Sequence, residues 1–163
     1  MPEFEISIAP PWPDGEWEEL ALAVLRAAGA VAREIGNERL IASLLLTSDE
    51  EIRSLNRDWR DKDRPTNVLS FPMLERDEIC ALPSSGAPVM LGDIVLAHET
   101  CAREAAEKDI PLRDHAAHLL VHGLLHLAGY DHETSPEEAE KMEQLEIKVL
   151  ALMGIANPYS LQN

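Results

Sequence analysis

The period of the apolar positions changes along the chain, and each change marks an element. Residues 4–8 alternate apolar and polar, which predicts a strand. Pro10, Pro11 and Pro13 end it. Asp14 is placed to cap a following helix, whose apolar surface comes largely from Trp17, Leu20, Leu22, Val24 and Leu25. Residues 40–46 are almost continuously apolar and predict a more deeply buried strand. Thr47 or Ser48 then caps a short helix through Leu55. Asp49, Glu50 and Glu51 sit in its first turn, where the helix dipole favours them. Residues 57–66 are dense in both signs of charge and read as a loop. Residues 68–71 form a third strand, stopped by Pro72, and residues 74–88 read as a long exposed excursion. Residues 89–96 form a fourth strand, with Gly92 marking a bulge or a close approach. Residues 99–108 are helical. Pro111 opens a long helix through Ala128, and Ser135-Pro136-Glu137-Glu138 opens a last one that runs to about Met153. No repeat or low-complexity tract interrupts the pattern.

Four strands interspersed with helices predict a single α+β domain over residues 1–163, with one four-stranded mixed sheet and about five helices. Leu119, Leu120, Val121, Leu124 and Leu125 make the helix of residues 111–128 the central, buried one. The 163 residues suffice for one core. The formal net charge of −16 changes the picture more. It disfavours loose binding to nucleic acid, so any RNA contact must use a local basic surface or a metal. Cys80 and Cys101 form no disulfide framework or zinc knuckle, and read as small buried apolar residues. No apolar run reaches the ~18 residues of a membrane span. The N-terminus is acidic where a secretory signal is basic, which points to the cytoplasm.

The candidate chemistry lies in His122-Gly123-Leu124-Leu125-His126-Leu127-Ala128-Gly129-Tyr130-Asp131-His132. A lone histidine on an apolar helix is ordinarily a core or surface residue. Two of them four apart lie one turn apart on one face. Gly129 permits the left-handed backbone that ends many helices, so the chain can carry His132 back toward the pair. His122, His126 and His132 then offer three neutral nitrogens with a fourth position open, the pattern of a catalytic zinc site. The spacing matches the long zincin pattern at each named position but one: Gly123 stands where that pattern has its glutamate base, so peptide hydrolysis by that route is not supported. His118 is four residues from His122 and is a rival ligand, preferred here as a neighbour that lines the site or orients a ligand. His115 is expected to face solvent, and His98 has no role. Asp131 is open between holding His132, holding a water and capping the turn. Asp93 is open between a group behind the ligands and a solvent-facing strand residue.

Three segments together resemble the YbeY family of bacterial metal-dependent endoribonucleases. They run from Leu55-Asn56 through Trp59-Arg60-Asp61-Lys62-Asp63-Arg64-Pro65-Thr66-Asn67-Val68-Leu69-Ser70-Phe71-Pro72, then Leu91-Gly92-Asp93-Ile94-Val95, then residues 118–132. The resemblance implies an α+β domain with its metal in a cleft. It implies one zinc ion on His122, His126 and His132, with Arg60 and His122 as catalytic residues. It also implies cleavage of single-stranded RNA in ribosomal RNA maturation, at the 3′ end of the small-subunit RNA, and in ribosome quality control. Ribosomal RNA, ribosomal proteins and a ribosome-associated GTPase are the expected partners. From charge alone, Arg60 reads as a surface partner of Asp58, Asp61 or Asp63; the resemblance makes it a phosphate ligand. The attacking group is open between water and the substrate's 2′-hydroxyl. Two other classes remain: a zinc hydrolase of peptides or small molecules, and a ribosome assembly factor with a structural metal.

Overall fold

The computed structural model describes residues 2–160. In chain order the elements are β1 (Glu3–Ile8), α1 (Trp17–Val31), a 3-10 turn (Arg33–Gly36), β2 (Leu40–Thr47), α2 (Asp49–Arg60), β3 (Val68–Pro72), α3 (Arg76–Ala81), β4 (Val89–Ala97), α4 (His98–Lys108), α5 (Leu112–Leu127) and α6 (Pro136–Leu152). The sheet runs β1-β2-β4-β3, with β1, β2 and β4 parallel and β3 antiparallel to β4. This is the expected α+β domain with a four-stranded mixed sheet, carrying six α-helices among the described residues where the periodicity predicts about five.

Strand alternation sorts the sheet into two faces. Ala42, Leu44 and Leu46 of β2 and Ile94 and Leu96 of β4 enter the main core with α1, α5 and α6. Val95 and Ala97 point the other way, and with Leu69 they pack against Ile52 of α2. Asp93 shares that second face, where it accepts a hydrogen bond from Ser43 Oγ. It therefore lies on the opposite side of the sheet from α5.

Helix α5 is the buried centre of the main layer: Ala117, Val121, Leu124, Leu125 and Leu127 are fully enclosed. It lies so close to β4 that a Cβ on Gly123 would meet Ile94 Cγ2 at 3.1 Å. Gly92 is the other close approach. Its φ is +150°, and a Cβ there would lie 2.5 Å from the Phe71 carbonyl oxygen. The β2–β4 register shifts beside it, between Ile41 and Ala42, as a bulge requires.

Several expectations fail for local reasons. Residues 57–60 are not loop; α2 continues to Arg60 and stops at Asp61, whose left-handed φ of 57° lets Lys62 N–H bond back to Asn56 O at 3.2 Å. The excursion of residues 74–88 contains α3, started by a reciprocal capping box between Glu75 and Glu78 and held by Ile79, which is 2% exposed. Asp14 does not cap α1; Glu16 holds the cap position without a side-chain bond. Ser48 and Ser135 do cap α2 and α6, accepting from Glu51 N–H at 3.2 Å and Glu138 N–H at 3.1 Å. Pro111 precedes α5 as its N-cap. Cys101 is buried as expected, but Cys80 is exposed. No helix among the described residues is long and apolar enough to cross a membrane.

Candidate metal centre

His122, His126 and His132 line one cleft of about 380 Å³ together with Arg60, Lys62, Arg64, Asn56, Ser70 and Glu133. Helix periodicity puts the first two on one face of α5, as their spacing predicts. Each has its Nδ1 occupied from behind. His126 Nδ1 bonds Ser70 Oγ on β3, and His122 Nδ1–H donates to Glu146 Oε2 on α6 at 2.7 Å. Both rings are thereby left with Nε2 as the nitrogen free to bind. Burial pushes the His126 pKa down, and the neighbouring His122, His132 and Arg60 push it further against the pull of Asp131. The neutral imidazole that a metal requires is thus the favoured form.

The third ring arrives by a turn. Gly129 has φ +97°, and a Cβ there would press to 2.7 Å from Arg76 Cβ. Arg76 fastens this turn. It donates to the Ala128 carbonyl at 2.9 Å and to Tyr130 Oη at 3.0 Å, pairs with Glu34 at 2.7 Å and lies 4.2 Å over the Tyr130 ring. Beyond it, Asp131 accepts from Glu133 N–H at 2.8 Å and Thr134 Oγ1 at 2.9 Å, so it caps the turn. These bonds, led by the backbone one, hold its pKa below the usual carboxylate value. The His132 ring centroid then stands 5.0 Å from that of His122. Its side chain is 46% exposed, and its nearest carboxylate, Glu133, is 3.8 Å away. Among the described residues no three His, Cys, Asp or Glu side chains are already closed around one ion position. The donor set nonetheless fits a borderline-soft divalent cation: three imidazoles in one cleft, two with Nε2 free.

The other histidines separate clearly. His118 is buried and donates from Nε2 to Glu146 Oε1 at 2.8 Å, so it shares an anchor with His122 and turns away from the cleft. His115 does not face solvent. It is 1% exposed and its Nε2 bonds Glu104 at 2.8 Å, because α4 packs over this end of α5. Burial depresses its pKa despite that carboxylate.

Arg60 is exposed and lines the cleft, and two of the acids expected to pair with it are taken by other arginines. Asp63 pairs with Arg53 at 2.8 Å and Asp58 with Arg57 at 3.1 Å. Among the described residues Arg60 makes no hydrogen bond or ion pair, which leaves its guanidinium free for a ligand.

Four contributors are given no role by the motifs, although Ser70 lies within one: Ser70, Arg76, Glu146 and Tyr159. Glu146 alone left a trace, since it stands on the apolar stripe of α6 beside Met142, Val149 and Leu150. It is 1% exposed. Burial would raise its pKa, but hydrogen bonds from His118, His122 and Tyr159 outweigh this and lower it to about 2.

The family model described as Endoribonuclease YbeY matches residues 11–154. A protein from Novosphingobium aromaticivorans named Endoribonuclease YbeY is 55% identical over 164 residues, covering 99% of this chain and 98% of its own. One of the same name from Erythrobacter litoralis is 59% identical over 148 residues, covering 91% and 92%. A solution structure of a Thermotoga maritima protein superposes with a TM-score of 0.58 at 26% identity, covering 99% of this chain and 100% of its own. With the motif, the cleft and these matches in agreement, the chain belongs to the endoribonuclease YbeY family.

Proposed function

We propose that the chain, acting as one domain, is a zinc-dependent endoribonuclease for single-stranded RNA. Its place is in ribosomal RNA maturation, at the small-subunit 3′ end, and in ribosome quality control in the cytoplasm. The observation that carries this reading is the cleft itself. In a chain of net charge −16, Arg60, Lys62 and Arg64 gather beside three histidines. That is a local basic surface of the kind an acidic chain needs to take a phosphodiester.

His122, His126 and His132 supply the nitrogens that would hold one zinc ion. When bound, the ion supplies concentrated positive charge that polarises a phosphoryl oxygen. Arg60 presents a planar fork to the phosphate and offsets charge as it builds in the transition state. Ser70 and Glu146 keep the two helix rings facing the cleft. Glutamate-based peptide hydrolysis finds no support at residue 123, because that position faces Ile94 and not the cleft. With so few cations in reach, intrinsic RNA affinity is modest and falls only shallowly with salt. Ribosomal RNA would then be delivered by ribosomal proteins or a ribosome-associated GTPase.

The test compares wild type, the His122→Ala/His126→Ala/His132→Ala variant and Arg60→Ala on single-stranded RNA and on denatured casein. RNA cleavage should vanish with the histidines and fall strongly with Arg60→Ala. Because Arg60 has no partner to lose, its replacement should leave the melting temperature and bound zinc at wild-type values. Casein cleavage lost with the histidines would overturn the reading in favour of a peptide hydrolase. RNA cleavage undiminished in the triple variant would leave the assembly-factor reading standing.

A further inference from the structure

Among the described residues Glu146 pairs with no Lys or Arg. Its carboxylate is enclosed between α5 and α6 and is met by three hydrogen-bond donors: His122 Nδ1 at 2.7 Å on Oε2, His118 Nε2 at 2.8 Å on Oε1, and the Tyr159 hydroxyl, also on Oε1. Met142, Val149 and Leu150 on the same stripe of α6 are fully buried. An apolar side chain at 146 would continue that stripe with no desolvation cost, whereas a buried carboxylate depends wholly on the hydrogen bonds it accepts. All three of those bonds carry information about direction. An ionised carboxylate only accepts, so each partner must present hydrogen to it. For His122 this puts hydrogen on Nδ1 and leaves the lone pair on Nε2, toward the cleft. For His118 it puts hydrogen on Nε2, and its Nδ1, buried with no partner, is turned away from any ligand role.

We infer that Glu146 is the positioning residue of this site, fixing which nitrogen of His122 faces the cleft as a donor while holding the rival His118 out of it. This rests on the zinc reading of the three histidines. It extends that reading in one respect: the choice between His122 and His118 is made on α6, by a residue outside the motif. Tyr159 completes the arrangement from the C-terminal segment, filling the second site on Oε1 and packing edge-on against His118 at a centroid separation of 5.3 Å.

The test begins with the metal-free wild-type chain. Nitrogen-15 spectra of its histidine side chains report the tautomer of each ring. His122 should be the Nδ1–H form and His118 the Nε2–H form. Glu146→Met, similar in length and with only a weakly accepting thioether in place of the carboxylate, should release His122 toward the Nε2–H form that a free histidine prefers. Zinc affinity, measured against a competing chelator, should weaken by about 10- to 100-fold in that variant, as loss of an outer-shell partner typically does. Glu146→Gln can still turn its carbonyl oxygen to His122 and should recover part of the affinity. A simple tie between helices would change the melting temperature and leave the tautomer of His122 and the zinc affinity alone. Wild-type His122 found in the Nε2–H form overturns the inference even if no variant folds, and so does a folded Glu146→Met chain with wild-type zinc affinity. The two readings fail separately. If the triple histidine variant binds zinc as well as wild type, the metal assignment falls, while the tautomer measurement still judges Glu146.

Discussion

The two rings on α5 and the ring beyond Gly129 reach the same cleft by different means. His122 and His126 grow from the most enclosed helix of the domain, and each is pinned through Nδ1 to a neighbouring element, α6 or β3. Moving either ring means moving core. His132 sits past a left-handed glycine on a surface turn, half exposed, with a 3.8 Å contact to Glu133 and its ring beside that of His122. Here the turn is held firmly while the side chain it carries is not. The difference separates two kinds of preparation. The helix pair is set before any ligand arrives, so binding there costs little ordering entropy. The third ring is brought within range and must be ordered by the ligand itself.

The widest test of this contrast is to remove one ring of each kind. His126→Ala should weaken zinc binding by more than the ~100-fold that loss of an outer partner costs. His132→Ala should weaken it less, since part of that ring's contribution is spent on ordering. Equal losses, by chelator competition, would erase the distinction. A smaller effect is expected at the clamp. Arg76→Ala leaves Glu34 with only the Tyr130 hydroxyl among the described residues and takes the Arg76 donor from the Ala128 carbonyl, and should cost about 1–3 kcal/mol. In a domain of this size that lowers the melting temperature by several degrees in a thermal scan. Zinc affinity should change by only a few-fold, because the exposed ring remains adjustable. The smallest expected change in stability follows from Ser70→Ala. It removes a single hydroxyl behind His126 and should weaken zinc by about tenfold, at the lower end for an outer-shell partner. A larger loss than at His132 would mean that the strand-side support matters more than the third ring.

Much of this could be read in the chain before any coordinates, and the rest has physical reasons for staying hidden. Local periodicity is a short-range signal, so the four strands, the central helix and the histidine face emerge from it directly. Gly92 was also legible, since glycine inside an apolar strand signals a close approach. Helix ends are weaker signals. Arg60 reads as loop because charges crowd around it, yet the same charges pair within and just beyond α2, as Arg53 with Asp63, and carry the helix onward. His115 reads as exposed because helical phase alone does not reveal that α4 will cover it. The partners Ser70, Arg76 and Tyr159 are brought in by tertiary packing from distant segments, and no spacing rule reaches them. Glu146 falls between these cases. A lone acid in an apolar helical stripe is a visible anomaly, and the fold gives it meaning.

The contact between Gly123 and Ile94 also limits what this scaffold can become. A glutamate-bearing metallopeptidase with the same histidine spacing is one residue away in sequence. At Gly123, though, any side chain begins 3.1 Å from a branched residue of the central sheet. Making room requires the Ile94 side chain to give by a few tenths of an ångström, or α5 to lift from β4, and lifting the helix would disturb the bonds of His122 and His126 to Glu146 and Ser70. The nearest neighbour in chemistry is therefore separated by tight clearance between a helix and a sheet, and a side chain placed there starts out facing Ile94.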